Sequence, residues 1–392
     1  MRIEIAQQHT EATNRSNNLS TFRRRSLRAM LAFTALVCLT AGSAIAQVKV
    51  SGSVTSFEVQ EHPQLDFVNA MAMPLPSSNS LPNSSQAMLQ ALTSSIDLGP
   101  SGGSAGAEGH GVMSPVFLGE PAKEGEILPP DFGTSNHPFT TVRADFSGNN
   151  TNTTYPYRAA GKLFFNIGTG TYICSASLIK PGVVVTAAHC VANYGRKQFY
   201  TNWQFTPGYR NGSAPYGVWT VKRAYVLTAY YNGTDSCYQY GVICPDDVAV
   251  LVLSGTPGNS AGWLGYWYGG GWSGTGLFQI TQLGYPAGLD NAAYMERNDS
   301  YGYKNSTYSN NTIIGSNMDG GSSGGPWIEN FGLASVLTGE TNGSFPQQNV
   351  VVGVTSWGYT STAPKEQGAA PFTSGNINTL VSTACSVYPL KC

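Results

Sequence analysis

The sequence predicts an all-β protein made of short strands joined by tight turns. Charged residues form 11% of the chain, well below the roughly one quarter that is usual in globular proteins, while Gly (46) and Tyr (21) are abundant. From about residue 137 onward, runs of β-branched and aromatic residues recur between clusters of Gly, Asn and Pro, a spacing typical of antiparallel barrels or a sandwich. These runs are KLFFNI, TYICSASLI, GVVVTAA, VWTVKRAYVL, VAVLVL, LFQITQL and NVVVGVTSW.

One helix is predicted, close to the end of the chain between Asn376 and Ala384. Apolar residues recur there at the spacing that places them on one helical face. The residues of this face are Ile377, Leu380, Val381 and Ala384.

The overall charge excludes several classes of partner. A formal net charge of -1 supplies no basic field that would hold nucleic acid or anionic lipid. No metal-binding loop is recognisable, and no CxxC pair points to zinc. We therefore expect a protein with no cofactor or metal, no nucleic-acid partner and no stable membrane association.

The first 46 residues predict a signal peptide. Four arginines between positions 23 and 28 precede an apolar run over 29–41, and small residues follow up to Ala46. The apolar run is shorter than the roughly 20 residues that span a bilayer. We expect cleavage after Ala46 and a secreted protein, extracellular or periplasmic in transit. The arginine cluster leaves both the general secretory and the twin-arginine routes open.

Residues 47–136 differ from the rest in composition, being rich in Ser, Pro, Gly, Ala and Asn with little periodicity. Such composition predicts a pro-segment or a flexible spacer. A small structured region is the alternative, because the stretch Val48–Val59 is apolar enough for an edge strand. A separate domain over 137–392 would follow this segment.

Seven cysteines are present, and Cys38 lies in the apolar run of the signal peptide. The other six are an even number in an exported chain, which favours disulfides over metal thiolates. Their spacing suggests local pairs, although spacing alone leaves other pairings open. The suggested pairs are Cys174 with Cys190, Cys237 with Cys244, and Cys385 with Cys392.

Two residues at the borders of apolar runs are candidates for a base and its orienting acid. Hydrolysis by a serine nucleophile needs an imidazole that takes the proton of the serine and a buried carboxylate that orients the imidazole. His189 ends the β run VVVTAAHC, whereas His137 lies beside a proline in a turn-like segment. Asp247 opens the apolar run DVAVLVL, with Asp246 as the adjacent alternative.

The candidate nucleophile is Ser323, in the run SNMDGGSSGGPW. Its flanking glycines permit a tight turn, in which the N–H groups of Gly321 and Ser323 converge as an oxyanion hole. Glycine-rich serine runs are usually linkers. This run is distinguished by the Pro326 and Trp327 that follow it and by the later β segment VVVGVTSWG.

With these motifs together, the chain resembles the chymotrypsin-like serine peptidases in TAAHC, DVAVL, GSSGGP and SWG, in the order His, Asp, Ser. The GYP at 284–286, the Ser322 before the candidate nucleophile and the lack of an IVGG-like segment together make it most similar to the glutamyl-endopeptidase-like branch of bacteria and fungi. The resemblance covers roughly residues 155–385. It implies two antiparallel six-stranded β-barrels, about 155–258 and 259–392, with the site between them and a short C-terminal helix.

The resemblance also implies roles for individual residues. His189 would be the general base, Asp247 its orienter and Ser323 the nucleophile of an acyl-enzyme mechanism. The strand over 356–358 would pair with the bound peptide. The substrate-binding residues implied in this way are Asn317, Met318, Thr355, Ser356, Trp357 and Gly358.

Three departures from the digestive trypsins bear on activation and specificity. Ser322 replaces the Asp before the nucleophile, and no IVGG-like segment is present, so activation by a new N-terminus is unsupported. Asn317 stands where trypsins carry the pocket Asp, and Thr355 where glutamyl endopeptidases usually carry His. We expect an uncharged pocket for apolar or small polar side chains, unless Asp319 enters it and attracts Lys or Arg.

The sequence therefore predicts a monomeric, secreted serine endopeptidase that acts on proteins or peptides. One alternative is a catalytically silent homologue that retains the groove. Another is a carbohydrate- or peptide-binding β-domain, in which the aromatic run WLGYWYGGGW forms a stacking surface.

Overall fold

The structure is a computed structural model that describes most of the chain after the predicted signal peptide. The described residues are 48–60, 63–76, 101–119, 131–132, 138–145, 150–238, 240–269, 277–304, 312–332, 347–359 and 365–392. All of them belong to the unit Ala44–Cys392. The predicted signal peptide, its cleavage site and His137 lie outside the described residues.

The described part of the chain before residue 150 contributes seven short strands. These strands are β1 (Val48–Ser51), β2 (Val54–Glu58), β3 (Met71–Ala72), β4 (Gly102–Ser104), β5 (Val116–Phe117), β6 (Asp131–Phe132) and β7 (Phe139–Arg143).

Six strands close a first antiparallel barrel. Three short strands, β11 (Ala192–Asn193), β12 (Gln198–Phe199) and β14 (Ser213–Ala214), lie in its connections. The barrel order is β15-β13-β8-β9-β10-β16, and pairing of β15 with β16 closes it. Its strands are β8 (Ala160–Ile167), β9 (Gly170–Lys180), β10 (Val183–Thr186), β13 (Thr201–Pro207), β15 (Trp219–Leu227) and β16 (Ala249–Leu253).

A second barrel follows the same plan. The strand β17 (Gly265–Tyr268) joins its edge by parallel pairing with β22. The order is β18-β21-β22-β23-β20-β19, closed by β18 and β19, so the predicted pair of six-stranded antiparallel barrels is confirmed. Its strands are β18 (Leu277–Gly284), β19 (Glu296–Lys304), β20 (Thr312–Gly315), β21 (Pro326–Glu329), β22 (Val350–Gly358) and β23 (Glu366–Pro371).

Three α-helices occur in the described residues: α1 (Thr228–Asn232), α2 (Gly258–Ala261) and α3 (Thr379–Val387). A helical turn over Ser374–Asn378 precedes α3. The predicted C-terminal helix is therefore confirmed, and all four residues of its predicted apolar face are buried. No helix in the described ranges has both the length and the hydropathy needed to cross a membrane.

Continuous apolar runs mark the strands that are covered on both faces. In β10, Val183, Val184 and Val185 are fully buried, and so are all residues of its partner β16. Because both faces lack water, the sequence of these strands does not alternate between apolar and polar residues. Antiparallel pairing of β10 with β16 brings their ends together at Thr186 and Ala249, which positions the residues that flank the two strands.

The cysteines form the three local disulfides that their spacing suggests. The bond between Cys174 and Cys190 joins β9 to the turn that follows β10. This turn is therefore held covalently against the first barrel.

The described parts of the predicted pro-segment are built onto the barrels. The hairpin of β1 and β2 corresponds to the edge-strand alternative for Val48–Val59, and β2 pairs with β15. Phe57 in β2 stacks on Phe199 with ring centroids 5.3 Å apart. In addition, β3 pairs with β9 of the first barrel and β4 with β17 of the second. This part of the chain thus contacts both barrels through backbone hydrogen bonds.

Candidate active site

The candidate base and acid meet where two paired strands of the first barrel end and begin. His189 lies in the single turn Ala188–Cys190 directly after β10, and Asp247 lies two residues ahead of β16. Because β10 and β16 are antiparallel neighbours, the end of one is next to the start of the other. The strand pairing therefore brings together two residues that are far apart in the chain.

The Asp247 carboxylate is held by three hydrogen bonds. Its Oδ1 accepts from the backbone N–H of His189 at 2.8 Å, and its Oδ2 lies 2.8 Å from His189 Nδ1. Oδ2 also accepts from the hydroxyl of Ser356 at 2.5 Å. For a carboxylate that is only 2% exposed, these partners replace the hydrogen bonds to water that burial removes. Since Nδ1 is bound to the carboxylate, Nε2 is the nitrogen left for proton transfer.

Ser323 lies in a turn whose glycines are required by space and by backbone conformation. Gly321 has φ +95°, and a Cβ added there would lie 2.4 Å from the carbonyl oxygen of Tyr285. Gly324 has φ +76°, and its Cβ would lie 2.0 Å from Thr186 Oγ1. Any other residue at these two positions would clash and strain the backbone.

Ser175, which sequence reasoning missed, connects the turn over 321–324 to the first barrel. This turn contains the predicted nucleophile Ser323 and is called the nucleophile turn. Its N–H donates to the Ser323 carbonyl at 2.7 Å, and its Oγ donates to the Gly321 carbonyl at 2.9 Å. The same Oγ accepts from the N–H of Tyr285 at 2.9 Å. The only sequence signal was its place beside Cys174. Ser175 fixes the position of the nucleophile turn relative to the disulfide that holds the His189 turn.

The structure does not join the three predicted catalytic residues in one hydrogen-bonded chain. His189 and Asp247 are directly bonded, whereas neither Ser323 Oγ nor His189 Nε2 has a hydrogen-bond partner within the described ranges. Both atoms are buried, and Ser323 has no exposed surface. Hydrogen bonds to a nucleophile often tighten only when substrate binds. The predicted base and acid are bonded to each other, while the predicted nucleophile is covered.

The chain matches the model of one known protein family. A family model described as Trypsin matches residues 149–378, more than half of the chain. This chain belongs to the trypsin family. The resemblance predicted from the motifs is thereby confirmed at the level of the family.

Two curated relatives share a shorter stretch with this trypsin-family chain. An extracellular metalloprotease of Bacillus subtilis (strain 168) is 34% identical over 120 residues, covering 29% of this chain and 34% of the relative. A glutamyl endopeptidase of Bacillus licheniformis is 34% identical over 119 residues, covering 30% of this chain and 34% of the relative. The chain thus matches about a third of the length of each relative.

Solved structures of proteases are also similar. The protease Anisep from Arthrobacter nicotinovorans superposes with a TM-score of 0.45 at 26% identity, covering 58% of this chain and 96% of its own. A Glu endopeptidase superposes with a TM-score of 0.44 at 18% identity, covering 63% of this chain and 96% of its own.

Beside the nucleophile turn of this trypsin-like chain lies a buried network of uncharged side chains. Thr355 Oγ1 accepts from Gln282 Nε2 at 2.8 Å and from Trp327 Nε1 at 3.0 Å. Gln367 Nε2 donates to the Met318 carbonyl at 2.8 Å and to Ser322 Oγ at 3.1 Å. Sequence reasoning found Thr355 and Met318 but missed both glutamines, because no local motif marks them.

The remaining predicted substrate-binding residues lie along β22 and next to the network. Trp357 is fully buried, and Gly358 ends the strand. Asn317 is partly exposed beside Met318. Asp319 is exposed and its Oδ1 accepts from the N–H of Gly288 at 2.9 Å, so its carboxylate is bound to a neighbouring turn.

Asn317 also lines a small cavity that contains a buried charge cluster. Arg143 lies 2.6 Å from a carboxylate oxygen of Asp145 and 3.7 Å from one of Asp290. Burial, reinforced by Asp290, raises the pKa of Glu296 to about 8. Glu296 is then mostly protonated at neutral pH, so it adds little negative charge to the cluster.

Two groups of residues in the described part of the chain have ligand atoms close enough for a metal ion. One contains Cys174, His189 and Cys190, and the other Asp235, Cys237 and Cys244. In both, the two cysteines are joined in a disulfide. Disulfide sulfurs are not the thiolates that bind metal ions.

Proposed function

We propose that this protein is a secreted serine endopeptidase that cleaves proteins or peptides through an acyl-enzyme. Ser323 Oγ attacks the peptide carbonyl carbon, and its proton passes to His189 Nε2. His189 then gives this proton to the leaving amine, and water attacks the ester by the reverse sequence. The main support is the pair of hydrogen bonds that the Asp247 carboxylate makes with the N–H and the Nδ1 of His189.

The negative charge that develops on the substrate oxygen would be stabilised by backbone donors. Gly321 and Ser323 lie in one turn whose backbone N–H groups would supply these donors, and Ser175 holds this turn through the Gly321 carbonyl. Donors fixed before the reaction need no reorganisation as the charge forms. We therefore assign the oxyanion hole to Gly321 and Ser323.

Secretion and processing belong to the same proposal. Export is supported by the signal-like segment over 1–46, by the three disulfides and by the extracellular location in the name of the Bacillus subtilis relative. Residues 47–136 would then be a pro-segment that is removed from the domain over 137–392.

A carbohydrate-binding function has less support. A stacking surface needs exposed aromatic rings, but Tyr266 in the predicted aromatic run is 7% exposed and Trp267 packs against the core of the second barrel. Both residues belong to β17, which is paired on both sides. The described part of this run therefore acts mainly in packing.

Covalent labelling tests the nucleophile. The secreted protein is incubated until mass spectrometry shows complete processing and is then treated with a sulfonyl fluoride. We expect one adduct, on the peptide that contains Ser323. The matched control Ser322→Ala should be labelled, whereas Ser323→Ala should not. Fully processed, folded protein that stays unlabelled, or is labelled at another serine, would contradict the proposed function.

The pocket chemistry predicts the primary side-chain preference. Because Thr355, Met318, Gln282 and Gln367 carry no charge, a buried Glu or Arg side chain would lack an ionic partner, which costs several kcal/mol. We expect cleavage after apolar or small polar residues at least roughly tenfold faster than after Glu or Arg. A peptide library cleaved by the processed protein measures this. A strict Glu preference, as in the name of the Bacillus licheniformis relative, would overturn it, and so would a strict Arg preference.

A further inference from the structure

The segment Met71–Pro76, within the predicted pro-segment, crosses the candidate active site. At one end, the N–H of Met73 donates to the carbonyl of Ile173 in β9 at 2.9 Å. In the middle, the Met73 carbonyl accepts from the N–H of Gly321 at 3.0 Å. At the other end, the Pro76 carbonyl accepts from the N–H of Gly358 in β22 at 3.0 Å. The segment is thus bonded to the first barrel, the nucleophile turn and the second barrel in succession.

Two side chains of the segment lie along the same path. The Cβ of Ala72 lies 3.6 Å from the position that a Cβ on Gly321 would occupy. A methyl carbon of Leu75 lies 3.1 Å from the corresponding position on Gly358. The segment therefore lies against the proposed oxyanion donor and the end of β22, which agrees with the complete burial of Ser323.

The direction of a productive peptide follows from the proposed chemistry. His189 must protonate the leaving nitrogen, so the half of the substrate that leaves has to lie on the His189 side. The disulfide from Cys190, next to His189, to Cys174 places β9 on this side. The acyl half of a substrate accordingly lies along the end of β22.

Met71–Pro76 runs in the opposite direction. The residues before the Met73 carbonyl lie on β9, in a parallel pairing, and the residues after it lead to Gly358 at the end of β22. The nitrogen that would have to leave is that of Pro74, which lies on the β22 side of the carbonyl and not on the His189 side. The Met73 carbonyl accepts from a donor of the proposed oxyanion hole. The amide nitrogen of Pro74, however, lies away from His189, which therefore cannot protonate it.

We infer that Met71–Pro76 is a built-in inhibitory strand that binds with reversed polarity, so it blocks the site without being cut there. The inference rests on the proposed function, because reversed polarity matters only if Ser323 is the nucleophile. The backbone donors and acceptors of Met71–Pro76 replace those of a substrate, while the orientation that acyl transfer needs is absent.

The first test measures how strongly the strand protects Ser323. The full chain is treated with a sulfonyl fluoride, and the initial labelling rate is taken before any processing is detected by mass spectrometry. Met73→Pro removes the N–H that bonds to Ile173, and we expect labelling roughly tenfold faster than in the wild type. The matched control Met73→Leu keeps this N–H and a similar volume, and should label within about twofold of wild type.

The second test measures polarity and does not depend on a substitution of Met73. Pro74→Ala removes the resistance that proline itself gives to cleavage, and we expect the peptide bond after Met73 to stay intact in this variant while the segment is bound. Mass spectrometry of the unprocessed chain follows this bond over time. Its cleavage at a rate independent of protein concentration, and its persistence when Ser323→Ala is combined with Pro74→Ala, would show substrate-like polarity and overturn the inference.

The outcomes separate the two proposals. If processed protein is labelled at Ser323 but the unprocessed wild type labels as fast as both Met73→Pro and the processed form, the inhibitory strand is refuted and the proposed function stands. If the processed protein is never labelled, the proposed function is refuted, and the inhibitory strand that rests on it is refuted as well.

Discussion

Asp247→Asn is expected to lower kcat of the processed protein about 10⁴-fold with little change in fold. The carboxylate accepts from both the N–H and the Nδ1 of His189. An amide at this position would turn an N–H toward Nδ1 and favour the tautomer with a proton on Nε2. Such an imidazole cannot accept the proton of Ser323. The measurement is the hydrolysis of a peptide substrate under saturating conditions, with thermal melting as the check of folding.

The neighbouring acid provides the matched control. The backbone N–H of Asp246 donates to Asp235 at 3.0 Å, and the three bonds to His189 and Ser356 are made by Asp247 alone. Asp246→Asn should therefore retain activity within about threefold, a change that corresponds to less than 1 kcal/mol. If Asp246→Asn gave the large loss and Asp247→Asn did not, the assignment of the orienting acid would be wrong.

Glu329→Gln is expected to stabilise the protein above neutral pH. Glu329 ends β21, is 7% exposed, and its Oε1 has no hydrogen-bond partner within the described residues. Burial raises the pKa of this carboxyl to about 9 from an ordinary value of 4.5. Between these two values the folded state keeps a proton that the unfolded chain has lost. The stability contribution of Glu329 is thus full below pH 4.5 and is lost as pH rises toward 9.

The slope of this loss has an upper bound of about 1.4 kcal/mol for each pH unit, so the substitution should gain a few kcal/mol by pH 8. Chemical denaturation of Ser323→Ala protein, which prevents autolysis, measures stability at pH 5 and pH 8. Glu108→Gln is the control, since the Glu108 side chain is 72% exposed. Equal pH dependence of the Glu329→Gln and wild-type curves would contradict the expectation.

Much of the site could be predicted because its residues lie at the borders of strongly patterned segments. His189 and Asp247 flank the apolar strands β10 and β16, and strands of this kind are recognised by local composition. The tight turn around Ser323 could be predicted because glycines, among them Gly321 and Gly324, flank this serine in the sequence. The close spacing of the cysteines likewise suggested the disulfides that the structure contains.

Other features had no local signal. Ser175 and Ser323 are 148 positions apart, yet a backbone hydrogen bond joins them. Gln282 and Gln367 form a buried network with Thr355 from three separate strands. The composition of residues 47–136 indicated a pro-segment or spacer, and it gave no sign that Met73 would bond to the nucleophile turn.

The sequence by itself determined the all-β class, the C-terminal helix and the candidate residues, since each depends on short-range periodicity, turn chemistry or motif order. Only the tertiary structure decided which strands pair, that the Asp247 carboxylate is bonded to His189, and that Met71–Pro76 lies across the site in a parallel pairing with β9. The physical reason is that backbone hydrogen bonds form between any two extended segments, whatever their side chains. Their partner and their direction are set by the packing of the whole chain.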